Sequence, residues 1–194
     1  MNLPNRLTIF RIILVPVVVL VYIFPYAQFG IEPYIFNIQG FHLSVINVIC
    51  LAIYVVAAFT DFLDGQIARR NNLVTNFGKF MDPLADKLLV CSALICMIEL
   101  GQLPSWYVIT VIAREFIISG FRLVAADNGI VIAASWWGKF KTTFQMLTVI
   151  LLILNIPALH TVTLIIAGVA FVLTLVSLLD YIAKNYKVIT EGGM

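Results

Sequence analysis

Six stretches of predominantly apolar residues, each long enough to cross a bilayer core as a helix, dominate the sequence. They run Ile9–Tyr26, Leu43–Arg70, Gly78–Leu100, Pro104–Ala126, Phe140–Ile156 and Thr161–Ala183. A bilayer core of about 30 Å takes about 20 such residues per helix. Hydrocarbon offers the backbone no hydrogen-bond partner, so an isolated spanning segment must be helical. Breakers separate the runs: Pro25 with Gly30 and Pro33, Asn71–Asn72, Gly101 with Pro104, Asn128–Gly129, and Asn155 with Pro157. The expectation is an all-α, polytopic membrane protein of six transmembrane helices, a single domain over 1–194, opened by a short interfacial segment, Met1–Asn5. Composition excludes the soluble alternatives. Apolar residues make up 62% and charged residues 11%, against about 45–50% and about 25% in ordinary soluble domains. A disordered chain, a coiled coil and a free nucleic-acid-binding domain are ruled out with them, so no nucleic-acid partner is expected.

Lysine and arginine placement sets the orientation. Arg6 and Arg11 stand at the N-terminus, Arg69, Arg70 and Lys79 between the second and third runs, Lys139 and Lys141 between the fourth and fifth, and Lys184 and Lys187 after the sixth. The opposite loops, 27–42, 101–103 and 157–160, carry none. The positive-inside rule then puts both termini and the 2–3 and 4–5 loops in the cytoplasm, with the chain in the plasma membrane. A signal peptide would need a small-residue cleavage site after the first run, and Pro25–Tyr26–Ala27–Gln28 is a poor one. Cys50, Cys91 and Cys96 lie inside apolar runs without metal or redox spacing and read as small hydrophobes. His42 and His160 stand alone at segment edges.

Charges inside the apolar runs carry the chemistry. An aspartate at a helix centre costs about 2.5–3.5 kcal/mol to insert, yet Asp61, Asp64, Asp82 and Asp86 all fall within the second and third runs. Asp61, Asp64, Gly65 and Ala68 follow i, i+3, i+4, i+7 spacing, one helix face; Gly78, Asp82 and Asp86 share a face of the next helix. If the two helices fold back as a hairpin, four carboxylates converge and repel unless cations neutralise them. Oxygen-only ligation, with neither His nor Cys beside it, suits Mg²⁺ or Mn²⁺, and four negative charges suffice for two ions. Gly65, Ala68 and Gly78 leave room for a ligand. Two other readings stay open: helix-end aspartates paired with neighbouring cations, and an ion path. No acidic relay crosses the outer half of the helices to complete such a path.

Residues 61–86 read Asp-Phe-Leu-Asp-Gly-Gln-Ile-Ala-Arg, eight residues, then Gly-Lys-Phe-Met-Asp-Pro-Leu-Ala-Asp. This resembles the signature D-x-x-D-G-x-x-A-R-x8-G-x3-D-x3-D of the CDP-alcohol phosphotransferases, matching every fixed position and every gap. The resemblance implies transfer of a phosphoalcohol from a CDP-linked donor to an acceptor hydroxyl, with release of CMP, at a dinuclear metal site. It implies that Asp61, Asp64 and Asp82 are metal ligands, and that Asp86 bridges a metal and acts as catalytic base. Gly65, Ala68, Arg69 and Gly78 would line the nucleotide pocket, with Asp61 and Asp64 beside it. A homodimer is implied as well.

Acceptor choice rests on basic residues outside the signature. Arg114 and Arg122 on the fourth run, with Lys139 and Lys141 entering the fifth, could hold an acceptor phosphate. Three short matches resemble the phosphatidylglycerophosphate synthases within the family: Asn2-Leu-Pro-Asn5-Arg-Leu-Thr8-Ile-Phe-Arg11, Arg114-Glu115-Phe116 with Ser119-Gly-Phe-Arg122, and Gly138-Lys139-Phe-Lys141-Thr142 with Gln145. That resemblance implies CDP-diacylglycerol as donor and sn-glycerol 3-phosphate as acceptor, with Asn5 and Thr8 near the nucleotide. A cardiolipin synthase of the same fold, or a transferase using inositol phosphate or serine, is the alternative within the family.

Overall fold

Pro4 sits where a helix tolerates proline, in a first turn whose N–H groups have no intrahelical acceptor. Asn2 caps that turn, its Oδ1 accepting from the Asn5 N–H at 3.3 Å, and α1 runs Leu3–Ile23. The interfacial lead-in expected at Met1–Asn5 is therefore part of the helix from Leu3 onward, and Asn5 is buried rather than at a surface. The computed structural model describes residues 2–38, 41–70, 76–127 and 135–191. Five further helices follow: α2 (Val45–Arg70), α3 (Asn76–Glu99), α4 (Ser105–Asp127), α5 (Trp136–Leu154) and α6 (His160–Glu191). All six apolar runs are helical.

One departure from the all-α expectation lies in the α1–α2 connection. After a 3-10 turn at Tyr26–Phe29, β1 (Ile35–Ile38) pairs antiparallel with β2 (Phe41–Ser44), Ile35 opposite Ser44 and Ile38 opposite Phe41. Residues 27–42 had been expected as plain loop. The pairing satisfies backbone groups that an open connection would leave to water. The breakers Asn71–Asn72 and Asn128–Gly129 lie outside the described residues. Gly101, at φ +68°, ends α3 in a Schellman arrangement: its N–H reaches the Ile98 carbonyl and the Gln102 N–H reaches that of Met97, both at 2.9 Å.

Among the described residues, two helical segments are long and apolar enough to cross a membrane, Pro4–Ile23 with mean hydropathy 2.3 and Pro157–Tyr186 with 2.7.

The chain forms two compact units, each built from separate stretches: residues 1–102 with 149–160, and residues 103–148 with 161–194. Within the first, α1 packs along both α2 and α3, while α2 and α3 touch each other much less among the described residues. The tip of the expected α2–α3 hairpin, 71–75, lies outside the described residues. The buried face of α1, Pro4, Thr8, Arg11, Val15, Val18 and Tyr22, alternates steps of four and three, a seam that stays on one side of a helix. On α2 the same rhythm gives buried Cys50, Tyr54 and Ala57. The second unit joins its helices through polar groups. Tyr107 donates its hydroxyl to the Ala167 carbonyl at 3.0 Å, and Gln145 Nε2 donates to Thr174 Oγ1 at 3.3 Å. Small hydroxyl residues on α6 thus serve as docking points, as is common between helices in apolar surroundings.

Candidate active site

The apolar seams of three helices turn polar at the same end. On α1 the polar positions are Thr8 and Arg11. Continuing the α2 rhythm beyond Ala57 by four residues reaches Asp61. On α3, Asp82 and Asp86 precede the buried Leu89 and Ala93. Thr8 Oγ1 donates to Asp82 Oδ1 at 2.5 Å, and Arg11 Nη1 donates to Asp61 Oδ1 at 2.6 Å. One helix therefore touches a signature carboxylate on each of its two neighbours. Asp86 lies one turn beyond Asp82, and its charge reaches Tyr54, which is fully buried on α2.

Burial differs sharply across the Arg11–Asp61 pair. The Arg11 side chain is 0% exposed and that of Asp61 is 40% exposed. The cation is locked in, while the carboxylate keeps an open side. Arg11 is thus held inside the helix packing while the Asp61 carboxylate stays accessible. Thr8 has one proton and two acceptors in range, the Pro4 carbonyl at 3.1 Å and Asp82. The ionised carboxylate makes the stronger bond.

The donor chemistry suits a hard divalent cation. Asp61, Asp82 and Asp86 offer carboxylate oxygens alone, and the bonds from Arg11 and Thr8 both go to Oδ1 atoms, leaving Oδ2 of Asp61 and Asp82 for a ligand. Among the described residues no three His, Cys, Asp or Glu side chains close around a metal position by themselves. The fourth signature carboxylate belongs to Asp64. The side chains of Asp64, Ala68 and Arg69, and the surroundings of Gly65, lie outside the described residues, although all four positions are within α2. Gly78 is buried near the start of α3.

The basic residues of the second unit separate into two kinds. Arg114 and Lys141 are buried and share one carboxylate: Arg114 Nη1 donates to Glu115 Oε1 at 2.9 Å, and Lys141 Nζ donates to the same oxygen. Arg114 Nε also donates to Ser177 Oγ at 3.2 Å. A Cβ at Gly138 would stand 3.7 Å from Arg114 Nη2, ordinary van der Waals contact, so α5 passes close to the guanidinium there. Arg122 and Lys139 are exposed, and the Lys139 ammonium sits 4.4 Å from the centroid of the Trp136 ring. The four cations expected as one cluster are therefore a buried pair bridged by Glu115, and two exposed residues. Lys139 and Lys141 part because a step of two residues turns a helix by about 200°.

Sequence reasoning missed three contributors. Arg11 had served as a marker of orientation and within the N-terminal match, with no role of its own; its signal was a cation within an apolar seam, one turn from Thr8. Glu115, beside a cation in an apolar run, carried the same signal. Ser177 had none. A groove of about 630 Å³, lined by Tyr26, Ala27, Gly30, Ile31, Glu32, Pro33 and Ile35, opens past the C-terminal end of α1, the end away from Thr8.

Comparison with known proteins identifies the family. Residues 1–177 match the family model described as CDP-alcohol phosphatidyltransferase. The chain is 40% identical over 196 residues to the CDP-diacylglycerol--glycerol-3-phosphate 3-phosphatidyltransferase of Bacillus subtilis, covering 99% of each chain. It is 36% identical to a probable phosphatidylglycerophosphate synthase of Mycobacterium tuberculosis over 100% of this chain and 85% of that protein. A third relative, the CDP-diacylglycerol--glycerol-3-phosphate 3-phosphatidyltransferase of Mycoplasma pneumoniae, is 33% identical over 77% of this chain and 66% of its own length. With the aspartate signature intact on α2 and α3 and a family match running through both units, the chain belongs to the CDP-alcohol phosphatidyltransferase family and is an enzyme of that type.

Proposed function

We propose that this enzyme transfers the phosphatidyl group of CDP-diacylglycerol to sn-glycerol 3-phosphate, giving phosphatidylglycerophosphate and CMP. The observation that carries the reading is a complete aspartate signature within a chain aligned end to end with a curated phosphatidyltransferase of that specificity. The family model reaches into both units, which supports treating 1–194 as one catalytic domain.

Chemically, the acceptor hydroxyl oxygen attacks the phosphorus that carries the diacylglycerol. A new P–O bond forms as the bond to CMP breaks, CMP leaves with the electron pair, and the hydroxyl proton passes to Asp86. A catalytic base of this kind contributes about 10²–10⁴-fold. Asp61, Asp64, Asp82 and Asp86 are the residues to hold metal. Enzymes of this family use a divalent metal; Mg²⁺ or Mn²⁺, as two ions, is our reading of the carboxylate count. Bound there, the metal neutralises charge on the diphosphate and on departing CMP. Gly65, Ala68, Arg69 and Gly78 line the nucleotide, with Asp61, Asp64, Asn5 and Thr8 beside it. Arg122 and Lys139, exposed, present charge to the acceptor phosphate, and Arg114 and Lys141 do so in balance with Glu115. We also propose six spans, a plasma-membrane location with both termini and the catalytic end cytoplasmic, and a homodimer.

Purified enzyme in detergent with CDP-diacylglycerol and Mg²⁺ or Mn²⁺ tests the reading through CMP release. Release should depend on metal and on glycerol 3-phosphate, with phosphatidylglycerol, inositol or serine inactive. Preference for another acceptor would keep the chemistry and overturn the specificity. In the same assay Asp86→Asn should lose release by about 10²–10⁴-fold while still binding the donor; unchanged release would remove Asp86 as the base and leave ion carriage in play.

A further inference from the structure

Two side chains less than one helical turn apart on α1 reach two different helices. Thr8 holds Asp82 of α3 at 2.5 Å and Arg11 holds Asp61 of α2 at 2.6 Å. The packing has the same form: α2 and α3 each lie along α1 and touch each other far less, among the described residues. Among the described residues, α1 is thus the helix that bonds to both the Asp61 and the Asp82 carboxylates. We infer that Thr8 and Arg11 are positioning residues that space the carboxylates of α2 and α3 for a divalent cation. The inference rests on those carboxylates being metal ligands and adds what holds them in place.

Physical constraints favour this role over simple charge balance. Thr8 is fully buried and uncharged, so its bond to Asp82 changes no net charge and can serve orientation alone. Arg11 is also fully buried, within an apolar seam where turning its charge elsewhere is costly. A guanidinium is a planar fork that fixes the direction of its partner, as an ammonium does not. Each bond takes one carboxylate oxygen and aims the other. Outer partners that orient metal ligands in this way typically change metal affinity about 10–100-fold when removed.

The test measures Mn²⁺ binding to the purified protein by paramagnetic resonance, without donor or acceptor and again with CMP. Thr8→Val should weaken Mn²⁺ binding about tenfold, with Thr8→Ser restoring it to within about threefold. Arg11→Lys keeps the charge and loses the fork, and should weaken binding about tenfold as well. For Arg11→Lys, donor KM at saturating Mn²⁺ should stay within about twofold of wild type, because the loss lies in the ion. Variants are compared only where they elute as one species, and Thr8→Ala replaces Thr8→Val if the latter does not fold. Wild-type Mn²⁺ affinity in both Thr8→Val and Arg11→Lys would overturn the spacing role, as would a raised donor KM in Arg11→Lys at every Mn²⁺ concentration with Mn²⁺ binding intact. No Mn²⁺ binding by wild type, with or without CMP, would overturn the metal reading itself and the inference with it.

Discussion

Glu115 is bound by two buried cations, and the three residues together carry one net positive charge. Removing the carboxylate takes from the buried Arg114 and Lys141 the oxygen to which both donate. Loss of one partner from a buried ionic group costs about 3–5 kcal/mol. Glu115→Gln should therefore lower the thermal midpoint in detergent markedly, and a midpoint unchanged from wild type would show the network to be dispensable. At this scale the four aspartates were legible because charge in an apolar run is conspicuous and their spacing is helical. Arg11 and Glu115 broke the same rule but lacked a partner at i±3 or i±4 to mark them. Their partners, Asp61 and Lys141, are separated by 50 and 26 positions in the chain. Such pairings arise only from packing.

Helix α5 presents its two lysines in different settings, which gives it two separable duties. Lys141 is buried on Glu115, and Lys139 is exposed beside Trp136. Hydrogen bonds to charged groups contribute about 1.5–3 kcal/mol, tenfold or more in affinity. Lys139→Ala should raise the acceptor KM about tenfold with little change in donor KM, and Lys141→Ala should lower the thermal midpoint. Equal effects of Lys139→Ala on both substrates would remove Lys139 from acceptor binding. The six helices themselves were readable from apolar length and breakers, since Gly101 ends α3 where the sequence placed the break. The β1–β2 hairpin was not. Four-residue strands in a connection carry too little alternation to stand out, and their pairing is a tertiary choice. Nor was the start of α1 readable, because Pro4 looks like a breaker until Asn2 is known to cap the turn.

For the whole molecule, the charge asymmetry of its loops makes a topological expectation. With native cysteines replaced, single reporter cysteines in loops 101–103 and 157–160 should react with a membrane-impermeant thiol reagent on intact cells. Reporters in 71–75 and 128–134 should react only after lysis. The reverse pattern would invert the molecule and put the catalytic end outside. Legible at this scale were membrane residence and family, both written in composition and signature. The division into units was hidden, because it joins stretches that no local pattern connects. That division bears on how the protein is made. Residues 149–160 complete the unit that bears Asp61, Asp82 and Asp86, and residues 161–194 complete the other. Synthesis runs from the N-terminus and domains tend to fold as units. The signature carboxylates thus emerge early, but their unit stays unfinished until nearly the whole chain has left the ribosome. A nascent chain halted between residues 103 and 148 holds every signature residue and neither finished unit.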